Sequence, residues 1–277
     1  MSSFIHAFQL EWLKLRHYRA FWVLFVMYLL ALLVISSFGV FFLEWLKTKG
    51  ADFNGVDPTI IPIYDFPDIW QNITWLSAFF KLLPAFIVII SVNNDLTYNT
   101  LRQNIIDGIS KRDYLVSKLA LIGFLALSST LFLAVIGLIT GSIYSHVHEL
   151  RFILSDLEFL FAFFLQVFTF CTLAFLLSLI IKKSGFVIVA LFLYTLMFEP
   201  IAAGILGNFH LIKDQTAWIV PFLPIYSLFN LIDIPFPRYF FMEIKDYLEL
   251  KSLFIVLGWL TIYVALIYRF LVRRDLK

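Results

Sequence analysis

Two ionisable side chains interrupt otherwise apolar stretches of this chain, Lys81 within residues 75–92 and Glu199 within residues 185–206. A charge at the centre of a bilayer costs roughly 2.5–3.5 kcal/mol on insertion scales, so each needs a partner, a route to the headgroups or a function. Counting helical rise places both about 10 Å below the same membrane face. The expectation is that they pair there, within one subunit or across a dimer. A lysine can instead snorkel to the headgroups, whereas the glutamate side chain is short. Pro200 follows Glu199 directly and removes a backbone hydrogen bond, which predicts a kink.

A second set of capable residues lies in the stretch 93–118, which is too polar to insert. Leu101, Ile105, Ile106 and Ile109 give it an apolar stripe at helical spacing. Gly108 fits the stop of one short helix, and Ser110 the N-cap of the next. With Thr100, Arg102, Asp107, Lys111 and Arg112, this reads as a helix–break–helix surface on which a soluble partner can push. The plainer alternative is a solvated turn. Before the first apolar run, Phe4, Ile5, Phe8, Trp12 and Leu15 recur every three to four residues, opposite Gln9, Glu11, Lys14 and Arg16. That pattern predicts a helix in the headgroup plane over residues 1–19, or else an extension of the first span.

Other chemistry is thinly represented. No Gly-x-x-x-x-Gly-Lys-Ser/Thr stretch occurs, so no phosphate-cradling loop is expected. His146 and His148 with Glu149 lack a clear set of metal ligands, and no metal site is expected. The single cysteine, Cys171, sits in an apolar run and reads as buried filler. Gly137 and Gly141 permit close helix contact, within the subunit more readily than across a dimer seam. No nucleophile–base pair and no facing carboxylates stand out, so no catalytic residues are assigned.

The elements that position these residues follow from composition. The 277 residues are 61% hydrophobic, 19% aromatic and only 14% charged, with mean hydropathy +0.91. A soluble domain carries roughly 25% charged residues, so soluble enzymes and nucleic-acid binders are excluded on arithmetic. Six runs are long enough to cross a bilayer as helices: 20–43, 75–92, 119–143, 157–181, 185–206 and 252–271. The fold class expected is all-α and polytopic, a single transmembrane domain. Thirteen Lys and Arg residues fall on the side of the N-terminus, the 93–118 loop, Lys182-Lys183 and the C-terminus, against seven on the other. The excess predicts both termini in the cytoplasm. The external loop 207–251 then holds Trp218, Phe222, Phe229, Phe236, Phe240 and Phe241 among four prolines, which suits a re-entrant pair of helices better than a seventh span.

In this order the pieces resemble the membrane subunit of ABC-2 type exporters, with the loop most like that of Bacteroidetes-type permeases. Three places carry the resemblance: Glu11-Trp12-Leu13-Lys14-Leu15-Arg16; Thr100-Leu101, Gly108, Ser110-Lys111-Arg112 and Lys118; and the aromatic segment between spans five and six. Asn94-Asp95 stands where the family has an acidic pair, and Asn99 where it usually has glycine. The resemblance implies a separate ATPase subunit in two copies, carrying ATP and Mg, and a second permease chain, identical or sibling. It implies no cofactor on this chain, a location in the bacterial inner membrane, and alternating access driven by the ATPase. Residues 100–112, among them Thr100, Leu101, Arg102, Ile105, Asp107, Gly108, Ser110, Lys111 and Arg112, would form the coupling helix. Spans two and five, bearing Lys81 and Glu199, would line the pathway.

Two other classes compete. An ATP-independent transporter or channel would use Lys81 and Glu199 as its ion-coupling pair and would show inverted repeats, of which none is evident. A non-transporting anchor would recruit an ATPase whose activity ignores substrate.

Overall fold

The computed structural model describes residues 2–49, 62–208, 213–241, 245 and 247–273, and among these it is entirely helical. The expected positions Phe4, Ile5, Phe8, Phe240 and Phe241 lie outside the described side chains, and Arg274 outside the described residues. Six helices are long and apolar enough to cross a membrane. The first runs Arg19–Thr48 and the third Lys111–Tyr144; the fourth is Glu158–Ile181 and the sixth Leu250–Arg273.

The second and fifth spans are broken, each just ahead of a proline. Span two is a helix Ile69–Ser77, a 3₁₀ turn Ala78–Lys81 and a helix Leu82–Thr97 containing Pro84. Span five is a helix Ser184–Leu193, a π turn Tyr194–Phe198 and a helix Glu199–Asn208 containing Pro200. Proline lacks the N–H that would bond four residues back, and the freed turn adjusts its winding instead. Lys81 and Glu199 therefore both sit at interruptions of regular helix.

Span four is the axis of the bundle. Of its most apolar window 72% is buried, against 22% in spans one and six, and it packs on spans two, three and six. Phe159, Phe163, Phe170 and Phe175 are fully enclosed there, whereas span one turns Val23, Val26, Met27, Leu30 and Val34 outward. Lipid tails are as apolar as these side chains, so the bundle must be held by close packing. Gly137 and Gly141 supply some of it. A Cβ on Gly137 would lie 2.7 Å from the Trp70 ring, and one on Gly141 would overlap the Phe66 ring. Gly137 thus seats span three against span two, and Gly141 seats it against Phe66 just ahead of span two, both inside the subunit.

The N-terminal helix Ser2–His17 stops at Tyr18, where Trp22 Nε1 donates to the Arg16 carbonyl, and it lies against span three with Trp12 edge-on to Phe124. It defines one end of the bundle, shared with the 95–118 segment and the C-terminal turn of span six; this is the near end. At the far end, residues 217–241 form a 3₁₀ turn Ala217–Phe222 and short helices Pro224–Phe229 and Pro237–Phe241. Ile225, Leu228, Leu231 and Ile232 are buried. Gln166 of span four and Trp259 of span six donate to the carbonyls of Leu228 and Phe222.

Candidate functional site

At the near end, four charged side chains from three elements converge. Lys118, at the start of span three, is buried and places Nζ 2.5 Å from Glu11 Oε1 and 2.7 Å from Asp95 Oδ2. Its third donor position goes to Ser91 Oγ at 2.7 Å. Lys14 Nζ donates to Asp95 Oδ1 at 3.0 Å, and the Thr100 hydroxyl donates to the same oxygen at 2.7 Å. Ser91 donates to Glu11 at 2.8 Å and Tyr114 to Asp95 at 3.3 Å. Two ammonium groups face two carboxylates; the three buried ions, Glu11, Asp95 and Lys118, each have several partners, and the partly exposed Lys14 adds one. Such satisfaction is what makes burial of charge tolerable.

This cluster joins the N-terminal helix to the ends of spans two and three and to the first residue of the loop helix Thr100–Ile106. Asn99 before it has φ +55°, in the left-handed region where glycine is at ease and asparagine is tolerated. Gly108, at φ +94°, ends the loop helix as expected. Ser110 caps span three: its Oγ accepts from the Asp113 N–H at 3.1 Å and donates to Asp113 Oδ2 at 2.7 Å.

The loop's apolar stripe divides. Leu101 and Ile109 are buried and Ile105 half-buried, but Ile106 is 74% exposed, so it belongs to the opposite face. Arg102 and Asp107 share that outer face, beside Tyr98. Lys111 Nζ donates to the Val272 carbonyl at 3.2 Å, tying span six to the loop, while Arg112 is exposed.

In the far half of the bundle, Lys81 and Glu199 are both buried, but they form no ion pair within the subunit. Lys81 Nζ lies 3.7 Å from the Phe229 ring centroid and 5.5 Å from that of Phe170, with no hydrogen-bond partner. Cation–π contact takes the place of the expected carboxylate. Glu199 Oε1 accepts from the backbone N–H groups of Ile225 and Tyr226 at 2.5 and 2.6 Å, capping the helix Pro224–Phe229. Its Oε2 is buried without a well-formed hydrogen bond, with the Tyr194 phenol beside it. A charged residue in an apolar run pointed to both positions. Nothing local in the sequence pointed to backbone amides 26 and 27 residues downstream.

A polar latch closes the far end. Arg238 pairs with Asp68 at 2.5 Å and donates to Gln71 Oε1, and Gln71 Nε2 donates to the Asp233 carbonyl at 3.0 Å. Asn72 Nδ2 donates to the Tyr239 hydroxyl at 2.8 Å; burial pushes that phenol up to about 12, so it stays neutral. His146 contacts Asp65 at 3.2 Å, and no cluster of metal ligands occurs among the described residues.

Comparison with curated proteins returns no match. The model of the ABC-2 family transporter protein matches residues 6–276, which takes in most of the N-terminal helix, the charge cluster, the loop and all six spans. This multi-pass membrane chain belongs to the ABC-2 family of transporter membrane proteins.

Proposed function

We propose that this chain is the permease subunit of an ABC exporter whose ATP hydrolysis takes place on a separate subunit, present in two copies. The near end is cytoplasmic, as the excess of Lys and Arg there favours. A second permease chain, identical or sibling, completes the pathway, and the chain itself binds no cofactor. The segment 100–112 receives the ATPase, with Arg102, Ile106 and Asp107 as the outward face. The N-terminal helix lies in the inner headgroup plane, and residues 217–241 re-enter the outer leaflet.

The observation that carries this reading is the Glu11–Lys118–Asp95–Thr100 cluster. A partner that shifts the loop helix pulls on Asp95 through Thr100, and Asp95 is bound to Lys118 and Lys14. Spans two and three then move with the N-terminal helix as a unit, because separating these ions would leave buried charges unpaired. Alternating access needs such a rigid link between the ATPase and the membrane helices.

The test is purification of the tagged chain from its native membrane in mild detergent. A soluble protein bearing a phosphate-binding loop should co-purify in stoichiometric amount and be lost from a variant carrying Arg102→Glu and Ile106→Asp. Those positions are exposed, so the variant should keep the wild-type elution profile. A chain that emerges alone in several gentle detergents, with ATP present, would overturn the exporter reading.

A further inference from the structure

A cavity of about 600 Å³ opens in the far half of the bundle, between spans two and five and the 225–234 segment. Its size is that of a site for a drug-sized molecule. Trp75, Phe79 and Tyr226 give it aromatic walls, and Glu199, Thr195 and Asp233 are among its polar ones. No Lys or Arg lines it among the described residues. Of the nearby cations, Lys81 stands against the Phe229 ring, within electrostatic reach of Glu199 but not hydrogen-bonded to it; Arg238 is held by Asp68, and the exposed Lys245 lies 3.7 Å from Asp233.

Glu199 is only 3% exposed, and its Oε2 has no well-formed hydrogen bond. The Thr195 hydroxyl, also buried, has no hydrogen-bond partner. A carboxylate oxygen only accepts, so beyond the Tyr194 phenol beside it, Oε2 can take a further donor or a positive charge. Aromatic faces next to a carboxylate favour a weakly hydrated cation on an apolar body.

We propose that this cavity binds a monocationic amphiphile, an amine or onium of drug size, with its charge at Glu199 Oε2 and its apolar body against Trp75, Phe79 and Tyr226. As an identification of cargo this rests on the exporter reading; as a binding site it does not.

The experiment uses the full chain in phosphatidylcholine nanodiscs and two probes of nearly the same shape and opposite charge, tetraphenylphosphonium and tetraphenylborate. Neither titrates. Binding is measured by equilibrium dialysis, with empty nanodiscs subtracted. Saturable tetraphenylphosphonium binding is expected, with tetraphenylborate at least about tenfold weaker. Glu199→Gln keeps an oxygen for the Ile225 and Tyr226 amides but loses the charge, and should weaken tetraphenylphosphonium binding by about tenfold or more. Gly204 lines the cavity and has open space beside its Cα, so Gly204→Phe should abolish binding by filling it.

Equal or tighter binding of tetraphenylborate would overturn the proposal, as would absence of saturable tetraphenylphosphonium binding or wild-type binding in both variants. If Glu199→Gln fails to elute as a folded species, Gly204→Phe decides. ATPase co-purification is read separately. A chain that binds the cation but recruits no ATPase keeps the site and loses the exporter reading; the reverse result removes the site alone.

Discussion

The molecule buries charge at both ends, and the two places handle it in opposite ways. At the near end Glu11, Lys14, Asp95 and Lys118 neutralise one another, and the Lys118 ammonium has a partner in each of three directions. In the far half, Lys81 has only ring faces, and Glu199 has one oxygen capping a helix and one beside the Tyr194 phenol without a well-formed hydrogen bond. The first arrangement has the form of a joint, since every element it holds must move with the others. The second has the form of a site, since part of its polar capacity is left for something else. Family membership alone does not make that distinction; the hydrogen-bond inventory does.

The largest expected effect comes from cutting the joint. Lys118→Met leaves Glu11 and Asp95 buried without their main counterion and should destabilise the chain by about 3–5 kcal/mol. Thermal unfolding in detergent measures this, and a loss below about 1 kcal/mol would dissolve the contrast between the two ends. Lys81→Met should move stability the other way. It removes from the membrane an ammonium held only by ring faces, with a gain of up to about 2.5–3.5 kcal/mol. A clear loss of stability in the same unfolding assay would show that Lys81 is structurally paired after all.

Smaller changes sharpen the picture of the joint. Thr100→Val removes one hydrogen bond to a charged oxygen and should cost about 2 kcal/mol. Its more telling readout is ATPase activity of the assembled complex, which should lose its response to the permease while the partner stays bound. Retained stimulation would place the transmission route elsewhere. Ser110→Ala removes the cap of span three and should cost about 1 kcal/mol. Hydrogen exchange at the Asp113 amide should quicken with little change elsewhere; a global change would mean that the cap supports more than its own turn.

Much of the architecture was legible in the sequence. All six spans appear where the apolar runs lie, because about twenty such residues have few alternatives to crossing a bilayer. The helix stop at Gly108, the cap at Ser110 and a distortion beside Pro200 were readable too, since each depends on one residue and its immediate neighbours. Pro84 carried the same signal in span two and was missed. The proposed pairing of Lys81 with Glu199 failed within the subunit for a different reason. Equal depth in a membrane fixes one coordinate, and whether two side chains meet depends also on the rotation and packing of their helices.

The near-end cluster shows where the division falls. Composition and local pattern determined that this is a six-span membrane protein with a short polar helix between spans two and three, because hydrophobic length and capping act over a few turns. They placed Glu11 and Lys14 on the polar face of the N-terminal helix, whereas Asp95 and Lys118 stood out only through the family resemblance, and none of the four was expected to form a site. That Glu11 bonds Lys118 across 107 positions, and that Lys14 reaches Asp95 across 81, was decided by the fold alone. An ion pair needs its partners within about 4 Å, and only the packing of the N-terminal helix against spans two and three sets that distance.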